Sequence, residues 1–196
     1  MNTKNKKQSS TQKLVLLSIL TSLVAILSYL GGFIKIGGLA SISLTLIPVV
    51  IGSALLGPLS GAWLGGVAGA VFFATADAAF WFGLSIPGTI ITVILKGCLS
   101  GLASGYAYKL LEKINVYLAV FTSAIVCPVV NTGIFLLGCR LFFMDAVSSG
   151  AASEGISVGA YLILFFVGLN FVFELLANVL LSPMIVRILN IRRKGG

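Results

Sequence analysis

Apolar residues run along this chain in long, nearly uninterrupted stretches, and polar residues collect between them. Six stretches stand out, at 14–33, 45–57, 59–77, 88–108, 117–143 and 157–187. A helix needs about 20 apolar residues to cross the hydrocarbon of a bilayer, fewer if it is short or buried. The pattern therefore predicts an all-α integral membrane protein with six transmembrane helices. The second stretch is short, with Pro48 in its first turn, where proline is tolerated. "GPLSG" at 57–61 reads as a tight turn, and "WFGLSIPGT" at 81–89 as a turn into the fourth helix, which Pro87 begins. The last two stretches exceed one bilayer thickness, which predicts tilt or extension beyond it. Between the first two helices, "FIKIGGLASISL" at 33–44 partly alternates around Gly37-Gly38. That pattern predicts a small β-hairpin on the outer face, with an irregular loop as the alternative.

Composition agrees with the pattern. Of the residues, 58% are hydrophobic and 9% charged, and the mean hydropathy is +1.11. A soluble domain carries about 25% charged residues. The expected organisation is one membrane domain over 1–196, with a basic tail at 1–13, a six-helix bundle at 14–187 and a second basic tail at 188–196. The basic start followed by an apolar run resembles a cleaved signal peptide, but no convincing cleavage site follows, so an uncleaved first helix is expected.

The net charge of +8 invites a nucleic-acid reading, but the cations sit at the edges of the spans. With the N-terminus placed in the cytoplasm, Lys4, Lys6, Lys7, Lys13, Lys109, Lys113, Arg187, Arg192, Arg193 and Lys194 are all internal, and Lys35 alone lies outside. The positive-inside rule thus places both termini in the cytoplasm. The chain has no histidine, which removes histidine acid–base chemistry and histidine-ligated metals. Cys98, Cys127 and Cys139 lie in apolar runs without a CxxC and read as packing residues. No Walker, HExxH or GxSxG motif is present, and neither a cofactor nor a metal is expected.

Two glycine ladders recur at intervals of four: Gly61, Gly65 and Gly69 in the third span, Gly97, Gly101 and Gly105 in the fourth. Missing side chains let helix backbones approach closely, so close packing is expected there. Ser18 and Ser22 form a looser version in the first span.

Intramembrane polar residues are costly and mark candidate function. Lys96 is placed to reach an outward-facing cavity, or to pair with an acid such as Glu174. Arg140, near the outer end of the fifth span, can grip a carboxylate through two parallel hydrogen bonds, or snorkel to the headgroups. Asn131 is nine residues from Arg140, half a turn away on a helical wheel, so one face does not present both. Asn170, Glu174 and Asn178 make a stripe that must face protein or water. Around the outer ends cluster Tyr29, Phe33, Phe72, Phe73, Phe80, Trp81 and Phe82, an aromatic belt of which Trp81 and Phe80 are candidate pocket walls. Two intramembrane cations suit capture of a small anion from outside.

With these features, "SLTLIPVVIGSALLGPLSGAWLGGVAGA" (43–70) and "CPVVNTGIFLLG" (127–138) resemble the substrate-binding S components of energy-coupling-factor vitamin transporters, the second stretch looking like the pantothenate-type members. The resemblance covers almost the whole chain. It implies a vitamin-binding subunit of the plasma membrane of a prokaryote that joins a transmembrane coupling subunit and two ATPases and topples to release its cargo. It also implies that Ser18 and Ser22, where the family prefers alanine, contact the coupling subunit. Substrate-binding candidates are Arg140, Lys96, Asn131, Trp81 and Phe80. The two cations favour a carboxylate vitamin, pantothenate first, ahead of biotin, lipoate and niacin; they disfavour neutral riboflavin, and thiamine, a cation, fits worst. A membrane enzyme, a structural membrane subunit and a channel are the competing classes.

Overall fold

The computed structural model describes residues 10–31 and 44–195. Among them the chain is all helical: α1 (Ser10–Gly31), α2 (Leu46–Leu56), α3 (Pro58–Phe72), α4 (Ala76–Leu84), α5 (Ile86–Leu111), α6 (Val116–Phe142), α7 (Met144–Ser153), α8 (Val158–Tyr161), a π-helical turn (Leu162–Val167) and α9 (Gly168–Gly195). No strand occurs among the described residues. The expected hairpin at 33–44 falls outside them except for Leu44, which lies in a turn.

Four helices are long and apolar enough to cross a membrane: Ser10–Gly31, Ile86–Leu111, Val116–Phe142 and Asn170–Asn190. The count reaches six when each of two bent pairs is taken as one span. These differ from the six expected in three places. The second expected span is an 11-residue helix, α2, well short of about 20 residues. The third ends at Phe72, and the chain turns by 84° into α4. Trp81, Phe82 and Leu84, expected in a turn, are helical, and the break narrows to Ser85, whose extended backbone and side-chain oxygen cap α5 through the Gly88 amide. The sixth expected run, 157–187, is interrupted at Gly168, whose backbone is in a conformation (φ 20°, ψ −137°) that side chains disfavour. The π-turn before it belongs to a pair bent by 97°.

Helix α5 is central, with α3 on one side and α6 on the other. Helices α3 and α5 run antiparallel, as the ladder residues show. A Cβ on Gly65 would fall on the Gly97 carbonyl, and one on Gly97 would fall on the Gly65 carbonyl. Gly61 and Gly101 meet in the same way, a Cβ on Gly69 would stand 2.9 Å from the Val93 carbonyl, and one on Gly105 would fall on Pro58. Helix α9 packs on α6, α2 fills the space between α3, α5 and α9, and α1 lies against α2 and α3. At the α2–α3 junction Gly57 adopts φ 102°, which glycine alone takes up without strain, and the sharp turn follows.

The described chain begins and ends on one face of the bundle, together with the α5–α6 connection, and that face carries Lys13, Lys109, Lys113 and Arg187. The short helices α4, α7 and α8 gather at the far face. The apolar core of α1, α2, α3, α5, α6 and α9, with Val24, Val49, Val50, Leu64, Val120 and Ile185 at its centre, fills the terminal half. A second cluster of Trp81, Cys139, Phe143, Val147 and Phe166 lies at the far end.

The glycine contacts yield a test. Gly65→Ala forces two backbones apart and should cost about 1–3 kcal/mol, the usual range for overpacking. Gly83 has open space around its missing Cβ, so Gly83→Ala should be neutral or stabilising by up to about 1 kcal/mol from helix propensity. Denaturant titration of both variants in detergent micelles checks the contrast.

Candidate functional site

The far half of the bundle encloses a cavity of about 140 Å³. Every long helix contributes: α1 gives Leu27, Ser28 and Gly31; α5 gives Thr89, Thr92, Lys96 and Ser100; α6 gives Asn131, Thr132 and Phe135; α9 gives Asn170, Phe171 and Glu174. Its rotation against α3 presents this face of α5. With Val93, Gly97, Gly101 and Gly105 held against α3, Thr92, Lys96 and Ser100 turn to the interior.

The walls are aromatic. Trp81 is buried among Phe135, Phe143 and Phe166, with ring centroids 5.4, 5.1 and 5.5 Å away. Edge and tilted arrangements at these distances are the favourable ones for aromatic rings. Trp81 is held from below by Thr89, whose hydroxyl donates to the Trp81 carbonyl at 2.8 Å. The Lys96 ammonium lies 5.0 Å from the centre of the Phe135 ring and 5.8 Å from that of Phe72. Ring faces attract a cation at such distances, so the two rings fix the charge between α3 and α6. Glu174, also on the wall, attracts it from α9. Asp77 joins the lining from the first turn of α4, where the helix dipole favours a carboxylate.

Deeper in the bundle, one helical turn past Ser100 on α5, lies a polar knot. The Ser53 and Ser104 hydroxyls are 3.1 Å apart, those of Ser104 and Ser123 2.8 Å apart, and Ser123 also donates to the Ser104 carbonyl. Helices α2, α5 and α6 are tied together there. Asn178 donates to the Glu174 carbonyl and Ser182 to the Asn178 carbonyl, so the buried stripe expected on the last helix extends one turn further.

Of the five substrate-binding candidates read from the sequence, the structure gathers three. Lys96, Asn131 and Trp81 line one cavity. Phe80 is half-exposed, its ring against Trp81 at 5.3 Å but outside the lining. Arg140 lies on the exposed face of α6 with Leu137 and Leu141, away from the cavity. The half-turn between Asn131 and Arg140 is the reason, because α6 can present only one of them inward. Sequence reasoning missed Thr92, Phe135, Phe143 and Phe166. Thr92 lies one helical turn from Lys96, a spacing that marks a shared face.

Ser18 and Ser22 lie exposed on α1, and each hydroxyl bonds a carbonyl one turn back, Leu14 at 2.9 Å and Ser18 at 3.1 Å. Val15, Ile19, Leu23 and Ile26 flank them. The two serines are thus small groups with no spare donor, set among larger apolar side chains.

Compared with known families, residues 12–186 match "ECF transporter, substrate-specific component". The chain belongs to that family. No curated protein and no solved structure gives a significant match. As a substrate-specific component, the protein is the substrate-binding subunit of an energy-coupling-factor importer, working with the other transporter subunits. A cavity joining all its long helices is the feature such a subunit needs.

The aromatic cluster predicts unequal roles for two adjacent rings. Trp81→Ala removes the hub of four rings and should destabilise the subunit by about 3–5 kcal/mol. Phe80→Ala should cost well under about 1 kcal/mol, as expected of a residue away from the packed interior. Unfolding titrations in mixed micelles decide the point.

Proposed function

We propose that this substrate-specific component captures a small carboxylate vitamin at the far face of the membrane and delivers it through an ATP-driven importer, with pantothenate the first candidate. The observation that carries the reading is Lys96: a cation held within the bilayer-spanning part of α5, on the wall of a cavity that the long helices share. Desolvating such a charge is costly, and a bound anion offsets part of the cost. Asn131, lining the same cavity, supplies both a donor and an acceptor. A cavity of about 140 Å³ compares with the roughly 150 Å³ that holds one benzene ring. A longer ligand therefore extends toward Thr75, Asp77 and Trp81. Both termini lie in the cytoplasm of a prokaryotic cell on this reading, since the basic face of the bundle is the one that carries them.

One observation favours a second reading. Asp77 and Glu174 add two carboxylates to a wall of aromatic rings, and that set also suits a cationic ring. The two readings differ in sign. Purified protein is titrated by calorimetry with a panel of vitamins, carboxylates and cations together. Lys96→Met should weaken a carboxylate by roughly 30-fold or more, the lower end for breaking a buried charge pair. Glu174→Gln should leave it as tight or tighter, and Arg140→Gln should leave it unchanged. A ligand that Glu174→Gln abolishes and Lys96→Met spares belongs to the cationic reading.

The assembly half of the proposal rests on α1. Ser18→Leu or Ser22→Leu places a branched side chain where a small one stands and should lower co-purification with the transmembrane coupling subunit at least severalfold while ligand affinity stays at the parent value. Unchanged complex yield moves the partner contact off α1.

A further inference from the structure

A groove runs between α6 and α9 on the outside of the bundle and shares no lining residue with the ligand cavity. Tyr117, Leu118 and Phe121 line it from α6, and Val179, Pro183 and Val186 from α9. Its volume is about 420 Å³, within the roughly 300–1,000 Å³ of small-molecule sites. The three α6 residues are exposed, as side chains facing lipid would be. From Asn115 to Phe121 and from Val179 to Val186 the helices rise about 10 Å each. That is about a third of a 30 Å hydrocarbon core, so the groove lies in the leaflet on the terminal side.

The two ends of the groove differ in charge. Phe121 and Val179 close the deep end with apolar side chains. At the shallow end Lys113 is exposed two residues before Asn115, which belongs to the lining. Arg187 is exposed directly after Val186 and one turn beyond Pro183, on the same side of α9. Helix α6 also starts there, and the Asn115 side chain accepts from the Tyr117 and Leu118 amides at 2.8 and 3.3 Å. The positive end of the α6 dipole thus adds to the two cations. Against them stands one acid of the α5–α6 connection, the half-buried Glu112.

An apolar groove with positive charge at its shallow end has the shape of an amphiphile with an anionic head, and basic pockets between membrane helices hold acidic headgroups in this way. A spanning helix of a partner is about 30 Å long, three times the length of the groove. We infer that the groove is a binding site for one anionic phospholipid. An acyl chain lies along Tyr117, Leu118 and Phe121, and the phosphate meets Lys113, Arg187 and the start of α6. The site is independent of what the cavity binds.

The test uses the full chain purified in detergent, with lipid added back and counted by native mass spectrometry. The probes are phosphatidylglycerol and phosphatidylcholine with the same acyl chains. Wild type should hold one phosphatidylglycerol and prefer it by roughly tenfold or more, since each cation near the surface contributes about fivefold. Arg187→Gln and Lys113→Gln should each weaken phosphatidylglycerol by roughly fivefold and leave phosphatidylcholine unchanged. Lys13→Gln, on the same basic face but on α1, should change neither. Val179→Phe fills the groove and should weaken both lipids. The rise in melting temperature that phosphatidylglycerol gives should fall in the same order, because a ligand of the folded state stabilises it. Equal affinity of wild type for the two lipids overturns the inference. So does an equal loss from Lys13→Gln, which would reduce the preference to the general charge of the terminal face. If Val179→Phe keeps its lipid and loses co-purification with the coupling subunit, the groove belongs to that subunit and the lipid site falls.

Discussion

Two backbones in contact set the geometry of this subunit. Where α3 crosses α5, the space for each missing Cβ is filled by a carbonyl of the opposite helix, at Gly61 with Gly101 and at Gly65 with Gly97. Lipid offers no hydrophobic drive for helices to associate, so close packing of small residues has to supply the attraction. The contact also fixes rotation. Once one side of α5 is pressed on α3, the adjacent side, with Thr92, Lys96 and Ser100, can only face inward. Gly65, Gly69 and Gly97 themselves line the cavity. The helix contact and the cavity wall thus share these three glycines.

The interior divides its polar groups by depth. In the terminal half they bond to one another: Ser53, Ser104 and Ser123 form a closed knot within the apolar core. In the far half they are spread over the walls of a cavity, where rings fill the intervening surface. Interior charge is tolerable in a membrane protein when it meets protein or water and intolerable against lipid. Lys96, between two rings and facing Glu174, obeys that condition. Arg140 meets it differently, exposed within two residues of the end of α6, where a long side chain can reach the headgroups.

What the sequence disclosed follows from which forces are local. The apolar runs of α1, α5 and α6 were legible to within a few residues, because lipid imposes length and hydrophobicity segment by segment. The ladder positions were legible as close contacts, because spacing by four marks one face of any helix. The 84° turn after Phe72 and the break at Gly168 were not. Both occur in apolar sequence, and hydropathy carries no information about direction. The face of α6 was not legible either. Asn131 and Arg140 were known to oppose each other, but which one points inward depends on where α5 and α9 sit. For Thr92 the signal lay in its spacing from Lys96, and an isolated threonine in an apolar run gives no reason to look.

On the reading proposed above, α1 keeps ligand binding and assembly on separate surfaces. Only its last turns, at Leu27, Ser28 and Gly31, reach the cavity, while Ser18 and Ser22 lie exposed well toward the terminal face. The apolar residues around those serines are no anomaly in lipid, so exposure by itself identifies nothing. What sets Ser18 and Ser22 apart from them is size. Serine hydroxyls spent on carbonyls of their own helix behave toward a neighbour as small, nearly apolar groups. A partner helix can approach them almost as closely as it could approach alanine. That is the physical sense in which serine can stand at positions where the family resemblance leads one to expect alanine, with contact driven by fit between backbones as it is inside the bundle at α3 and α5.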